Sequence, residues 1–266
     1  MQDESPTSPS SDTDPASPPR REFKARGSFV VRCEACNLPR LNCLCPYRVR
    51  AESQTRVWLL THPIEQYKPT NTGRLIRDVL PDTEVFTWYR TAPDERLLAL
   101  LEDSRYAPFV VFPDDQEGYA ERVVGMDRVI ERQKTGRIPV FILLDGTWRQ
   151  ARRIFRRSPY LATLPVLPLV TDRQSRYRLR KAASSDHLCT AEVAAELLRQ
   201  AGDTRAADVL DDYCDVFNDN YAASRRDAKP AEPTPAMRRL LAARGEEAEE
   251  VGEHITLSER DEQQAN

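Results

Sequence analysis

Residues 138–157 read IPVFILLDGTWRQARRIFRR. An apolar run over 138–144 stops at Asp145-Gly146-Thr147-Trp148 and passes into arginine-rich sequence. A continuous apolar run has no solvent face, which fits a strand of a parallel sheet covered on both sides. Ligands of open α/β sheets gather at the carboxyl ends of such strands. The stretch therefore predicts a carboxylate, Asp145, delivered to that edge, followed by a helix over 147–157. At 3.6 residues per turn, Trp148, Ala151, Ile154 and Phe155 fall on one side of this helix. Arg149, Arg152, Arg153, Arg156 and Arg157 cover the remaining arc. The apolar side is expected to dock on the sheet, leaving the arginines to solvent or to RNA phosphates. Contacts of that kind position a partner without reading its sequence.

Working outward, strand patterns appear at 56–61, 84–89, 108–112 and 164–170, the last weakened by its prolines. Helical patterns appear at 73–80, 94–103, 119–134, 190–201 and 204–224. Short apolar strands alternating with amphipathic helices predict the α/β class, with a mostly parallel sheet carrying helices on both faces. Thr190 is placed to cap the helix at 190, with Glu192 in its first turn. The expected organisation is a disordered Pro- and Ser-rich tail (1–22), a cysteine-bearing segment (23–50) and the α/β body (51–228). A linker, a short helix at 236–244 and an acidic tail follow (229–266).

The formal net charge of −3 over 266 residues hides an uneven distribution. Residues 1–19 hold four acids and no base, and residues 245–266 hold eight acids and one base. What remains between them carries a net +8, and residues 145–181 alone hold ten bases against two acids. A body this basic attracts a polyanion. No apolar run is long enough to span a bilayer, and the opening MQDESPTSPSSD lacks the basic and apolar regions of a secretory signal. The expected location is cytoplasmic, with no membrane and no evident protein partner.

Four of the six cysteines lie in RCEACNLPRLNCLCPYR, at Cys33, Cys36, Cys43 and Cys45. In a reducing compartment such a cluster points to a metal rather than to disulfides. Four thiolates make a closed tetrahedral Zn2+ site, which is structural rather than catalytic. The segment is too short for a core of its own, so metal binding would supply its folding energy. Cys189 and Cys214 stand apart, as small buried hydrophobes.

Two further loops carry polar residues to the same edge. In THPIEQYKPTNTGRL (61–75), His62 and Glu65 are candidates for binding or for holding the loop. Thr70, Asn71, Thr72 and Gly73 offer hydroxyl, amide and backbone donors at a helix start, which suits a carboxylate or phosphate and equally suits ordinary capping. In RYRLRKAASSDHLCTAE (176–192), Arg178, Arg180 and Lys181 could grip phosphates or a ligand carboxylate.

These segments together resemble the DTW-domain family of tRNA-uridine aminocarboxypropyltransferases over roughly residues 30–224. The likeness rests on the C-x2-C-x6-C-x-C cluster, His62-Pro63-x-Glu65, Asn71-Thr72-Gly73-Arg74-Leu75, Asp145-Gly146-Thr147-Trp148 with Arg149-Gln150-Ala151, Leu179-Arg180-Lys181 and Leu188-Cys189-Thr190-Ala191-Glu192. Cys189 departs from the serine expected there. The resemblance implies S-adenosylmethionine as a consumed substrate, whose 3-amino-3-carboxypropyl group moves to N3 of a uridine in tRNA while methylthioadenosine leaves. It implies a fold related to the knotted SPOUT class. It makes Asp145 a candidate general base, with helix capping or shaping of the turn as its other role. It groups Thr70, Asn71, Thr72, Gly73, Gly146, Thr147, Trp148, Arg180, Lys181, Thr190 and Glu192 around the donor, Trp148 serving either as a stacking ring or as core. A SPOUT-like methyltransferase and a non-catalytic, zinc-dependent RNA-binding module are the competing readings.

Overall fold

A computed structural model describes residues 30–114, 118–179, 188–226, 228 and 233–245. The tails expected at 1–22 and 246–266, and Arg180, Lys181 and His187, lie outside the described residues. One compact unit begins at Arg32.

Five parallel strands form one sheet: β1 (Arg56–Thr61), β2 (Glu84–Thr87), β3 (Tyr106–Val111), β4 (Ile138–Asp145) and β5 (Val166–Leu167), in the order β2-β1-β4-β3-β5. The helices are α1 (Gly73–Val79), α2 (Glu95–Glu102), α3 (Met126–Lys134), α4 (Trp148–Arg157), α5 (Thr190–Gln200) and α6 (Thr204–Ser224). Alternate strand residues face opposite layers. Val57, Leu59, Phe109, Phe141 and Leu143 pack with α1, α3, α5 and α6. Trp58, Leu60, Val110, Val140 and Ile142 pack with Leu97 of α2 and Ile154 of α4. The central strand β4 is thus buried on both faces, as its uninterrupted apolar run requires.

Several elements are shorter than their sequence patterns. The pattern at 164–170 yields only Val166–Leu167, because Pro165 and Pro168 flank that pair and cannot donate to a ladder. β2 ends at Thr87; Trp88 turns inward, its indole donating to Ser158 Oγ at 2.9 Å. The helix expected over 119–134 begins at Met126, after Gly125 at the N-cap, and residues 120–122 form a 3-10 turn instead.

The cysteine segment and a terminal helix at 235–245 share the larger core. Cys36, Leu38, Leu44 and Val49 join Ala236, Met237 and Leu240 in one apolar cluster with α1, α5 and α6. Arg239 on the terminal helix pairs with Asp212 of α6 at 2.6 Å.

Candidate active site

The chain leaves β1 toward β2 and leaves β4 toward β5, in opposite directions across the sheet. The carboxyl ends of β1 and β4 are therefore the switch point, where a ligand crevice is expected in an open α/β sheet. Thr61 and Asp145, the last residues of these strands, are register partners. The Asp145 side chain is buried at this switch point, only 2% exposed. Its Oδ2 accepts from Asn71 Nδ2 at 2.7 Å and from the Thr61 hydroxyl at 3.4 Å; its Oδ1 accepts from the Thr190 hydroxyl at 2.8 Å. Burial pushes the carboxyl above its ordinary range, while the donors Asn71 and Thr190 pull it back toward the ionised form and Glu65 nearby adds to the push. A Cβ at position 73 would lie 2.9 Å from Asp145 Oδ2, so only glycine lets α1 approach this closely.

The surrounding loops are tied to this carboxylate and to each other. Asn71 Oδ1 accepts from Arg74 N–H at 3.1 Å, closing the turn into α1. Thr72 Oγ1 accepts from Ala191 N–H at 3.4 Å, and the Tyr177 hydroxyl donates to Thr70 O at 2.6 Å. Glu192, buried, accepts from Ser175 Oγ at 2.7 Å, Arg176 N–H at 2.6 Å and Cys189 N–H at 2.9 Å. The structure brings Thr70, Asn71, Thr72, Gly73, Asp145, Thr190 and Glu192 together, and it shows Glu192 occupied as an anchor between loops. One expectation changes: Cys189, not Thr190, holds the N-cap of α5, because the Thr190 hydroxyl is turned onto Asp145.

On the β4 side, Thr147 is the N-cap of α4 and Gln150 completes a capping box. Gln150 Oε1 accepts from Thr147 N–H at 2.7 Å and from Thr147 Oγ1 at 2.9 Å, so of the two turn amides Thr147 already has its acceptor. This orientation aims Gln150 Nε2 at His62 Nδ1, 3.3 Å away. Ile64 N–H also donates to that nitrogen at 3.4 Å, and His62 N–H donates to Asp145 O at 3.0 Å. Two donors on Nδ1 fix the neutral tautomer with its proton on Nε2. Burial and the neighbouring Arg153 both lower the His62 pKa. Gln150 and the full role of His62 were missed by sequence reasoning, although T-x-x-Q after an apolar strand is a legible capping signal. Trp148 stacks on Phe112 with ring centroids 5.3 Å apart, inside an apolar cluster with Phe155. These contacts are core packing, and the residue stays half-exposed.

The α4 arginines divide. Arg149, Arg153, Arg156 and Arg157 are exposed, while Arg152 lies over the Trp148 ring at 5.5 Å and Arg153 over Trp88 at 5.8 Å. Arg178 is exposed, with Asp219 of α6 in its electrostatic range.

The cysteine cluster lies apart from the crevice. The sulfurs of Cys33, Cys36, Cys43 and Cys45 all fall within 4.8 Å of one another. The Cys33–Cys45 and Cys36–Cys43 pairs are 3.6 and 3.8 Å apart. Four ligands about 2.3 Å from a zinc ion stand about 3.8 Å from each other in a tetrahedron, so the donor set and spacing fit Zn2+. Backbone N–H groups of Cys36 and Ala35 bring the Cys33 thiol down to about 6, which readies one thiolate at neutral pH. Burial raises Cys43 and Cys45.

A model of the DTW domain matches residues 30–222. The chain is 27% identical over 172 residues to a Mus musculus protein named tRNA-uridine aminocarboxypropyltransferase 2, an alignment covering 62% of this chain and 55% of the other. A Macaca fascicularis protein of the same name matches at 24% over the same shares. A Drosophila melanogaster protein of that name matches at 27% over 188 residues, 69% of this chain and 68% of its own. The chain spans about half the length of the two mammalian relatives. No solved structure matches. The family match runs from the cysteine cluster through the loops around Asp145 to α6, and it contains Thr61, Asn71 and Thr190, which hydrogen-bond the Asp145 carboxylate. The chain belongs to the DTW-domain family.

Proposed function

We propose that this protein modifies tRNA, transferring the 3-amino-3-carboxypropyl group of S-adenosylmethionine to N3 of a uridine. The observation that carries the reading is the meeting of Asn71, Gly73, Thr190 and Asp145 at the switch point of a parallel sheet, beside an arginine-lined helix. The names of the relatives supply the reaction class. In this step the N3–Cγ bond forms and the Cγ–S bond breaks. The bonding pair stays on sulfur, which becomes the neutral thioether of methylthioadenosine, and the N3 proton leaves to a base.

The chemistry sets two demands. Uridine N3 is a poor nucleophile until it loses its proton, and the sulfonium must be held with its Cγ–S bond in line. Asp145 is the proposed proton acceptor, since burial raises its proton affinity. Oδ2 accepts from two donors and Oδ1 from one, so Oδ1 keeps a lone pair for the uracil N3–H. The Oδ1 side is the open one: Thr190 is half-exposed, whereas Asn71 is buried. The loop at 70–73, the turn at Gly146 and the basic pair Arg180 and Lys181 are the proposed donor-binding groups. His62 Nε2–H is a neutral hydrogen-bond donor at the rim. The exposed arginines of α4 and Arg178 are the proposed phosphate contacts. Zn2+ at the four cysteines would hold the 32–50 segment folded and take no part in the transfer.

Incubation with S-adenosylmethionine and tRNA, followed by mass spectrometry of the nucleosides, tests this reading. The expected outcome is a uridine heavier by one 3-amino-3-carboxypropyl group, with methylthioadenosine as the small product. Adenosylhomocysteine would mean methyl transfer instead, and RNA binding without turnover would leave only the binding module.

A further inference from the structure

Arg74 follows the glycine that backs onto Asp145, yet its side chain runs the other way, into the core between α1 and α6. Its guanidinium carbon stands 5.1 Å from the centre of the Phe217 ring. Its Nη2 is buried and has no hydrogen-bond partner. The neighbouring carboxylate of Asp78 gives it charge at a distance but no hydrogen bond: its oxygens hold Arg48 at 3.0 Å and the Tyr213 hydroxyl at 3.1 Å. An arginine does not shed its proton to escape burial, so an anion must be found for it. The cysteine segment packs on the same helix: Asn220, three residues past Phe217 on α6, donates its Nδ2 to the carbonyls of Asn42 and Cys43 at 3.3 and 3.4 Å, and Cys36 lies in the apolar cluster that holds Phe217.

The cysteine cluster has the complementary problem. Four thiolates on one divalent cation leave a net charge of about −2 beside the same core. A filled centre would therefore supply the anion that Arg74 lacks, and Arg74 would neutralise part of the excess. The other end of Arg74 reaches the crevice: its backbone N–H holds Asn71 Oδ1 at 3.1 Å, and Asn71 Nδ2 holds Asp145 at 2.7 Å. We propose that Arg74 is the counter-cation of the Cys33–Cys36–Cys43–Cys45 metal centre, and that through it the bound metal steadies the 70–74 loop against Asp145. Arg74 is a positioning residue on this account, and the account does not depend on which group the protein transfers.

The test uses the zinc-loaded full chain in competition with a chromogenic chelator. An outer-shell partner is expected to matter by about 10–100-fold in metal affinity. Arg74→Met should lose that much, and Arg74→Lys, which keeps the charge, should recover most of it. Arg74→Met binding zinc within about twofold of the unaltered chain overturns the proposal. Should Arg74→Met fail to fold, hydrogen exchange on the unaltered chain decides: zinc removal should speed exchange at residues 71–76 as well as at 32–50. Unchanged exchange at 71–76 would equally overturn it.

Discussion

The 70–74 loop stands between two polar centres built on opposite logic. At Asp145, a single carboxylate is surrounded by neutral donors from three separate elements, Thr61, Asn71 and Thr190. That centre is assembled from uncharged side chains the fold itself brings together. At the cysteine cluster, four ionisable sulfurs crowd within 4.8 Å, and what would make their charges compatible is a cation. One centre is specified by the fold; the other specifies the fold of its own segment. The regular structure within residues 32–50 amounts to two 3-10 turns, Arg40–Asn42 and Cys45–Tyr47, and a single bridge between Arg32 and Pro39. The largest effect should follow from breaking that dependence. Stripping zinc with a strong chelator should unfold residues 32–50 and lower the Tm by about 10 °C or more, since structural zinc contributes several kcal/mol to folding. Cys36→Ser should do the same at any zinc level that saturates the unaltered chain. A Tm indifferent to chelation would erase the contrast.

The second break is aimed at the carboxylate centre. Asp145→Asn keeps the shape but turns an NH2 group toward one of the donors that Asp145 now satisfies. The mismatch should cost about 1–3 kcal/mol, a Tm drop of several degrees and less than chelation causes. The transfer rate should fall more steeply, by about a hundredfold or beyond, because an amide cannot take the N3 proton. Full turnover with both substrates still bound would remove Asp145 from the chemistry and leave it as the organiser of the crevice.

The contrast also governs how much could be read from the chain. The cysteine spacing is local, so C-x2-C-x6-C-x-C is legible at sight. Asp145 was legible as well, because an apolar run ending in an acid has few other meanings in a parallel sheet. Its partners were only partly so. Thr61 faces Asp145 through strand register, 84 residues away in the chain, and no local pattern encodes that. Thr190 looked like a cap because its neighbours make a good helix start, and only the tertiary approach of α5 turned its hydroxyl onto Asp145. The two-residue β5 was legible in kind but not in extent: the strand pattern and its weakening prolines were both visible, and Pro165 and Pro168 cut it to one pair. Arg74 was visible within the Asn71-Thr72-Gly73-Arg74 run, yet its direction into the core, away from the crevice, depends on α6 packing.

The smallest effect separates two groups within the Asp145 centre. His62 is pushed below its ordinary 6.5 by burial and Arg153, and Asp145 is pushed above its ordinary 3.8 by burial. The signs of their pH linkage are therefore opposite. The folded state binds the Asp145 proton more tightly than the unfolded chain does, so this group's stabilising share is full below 3.8 and lost as pH rises through the raised value. The folded state binds the His62 proton less tightly, so its share is full above 6.5 and lost as pH falls through the lowered value. Protonated Nδ1 would face Gln150 Nε2 and Ile64 N–H, three donors with no acceptor. Urea unfolding at a series of pH values should show stability falling as the solution is acidified below 6.5, and His62→Gln should flatten that part of the slope. Histidine NMR should place the His62 midpoint below 6.5, and Arg153→Gln should move it up. A midpoint at or above 6.5 would mean that the ring is not held as the neutral Nε2–H donor, and the crevice would lose its only proposed uncharged ring donor.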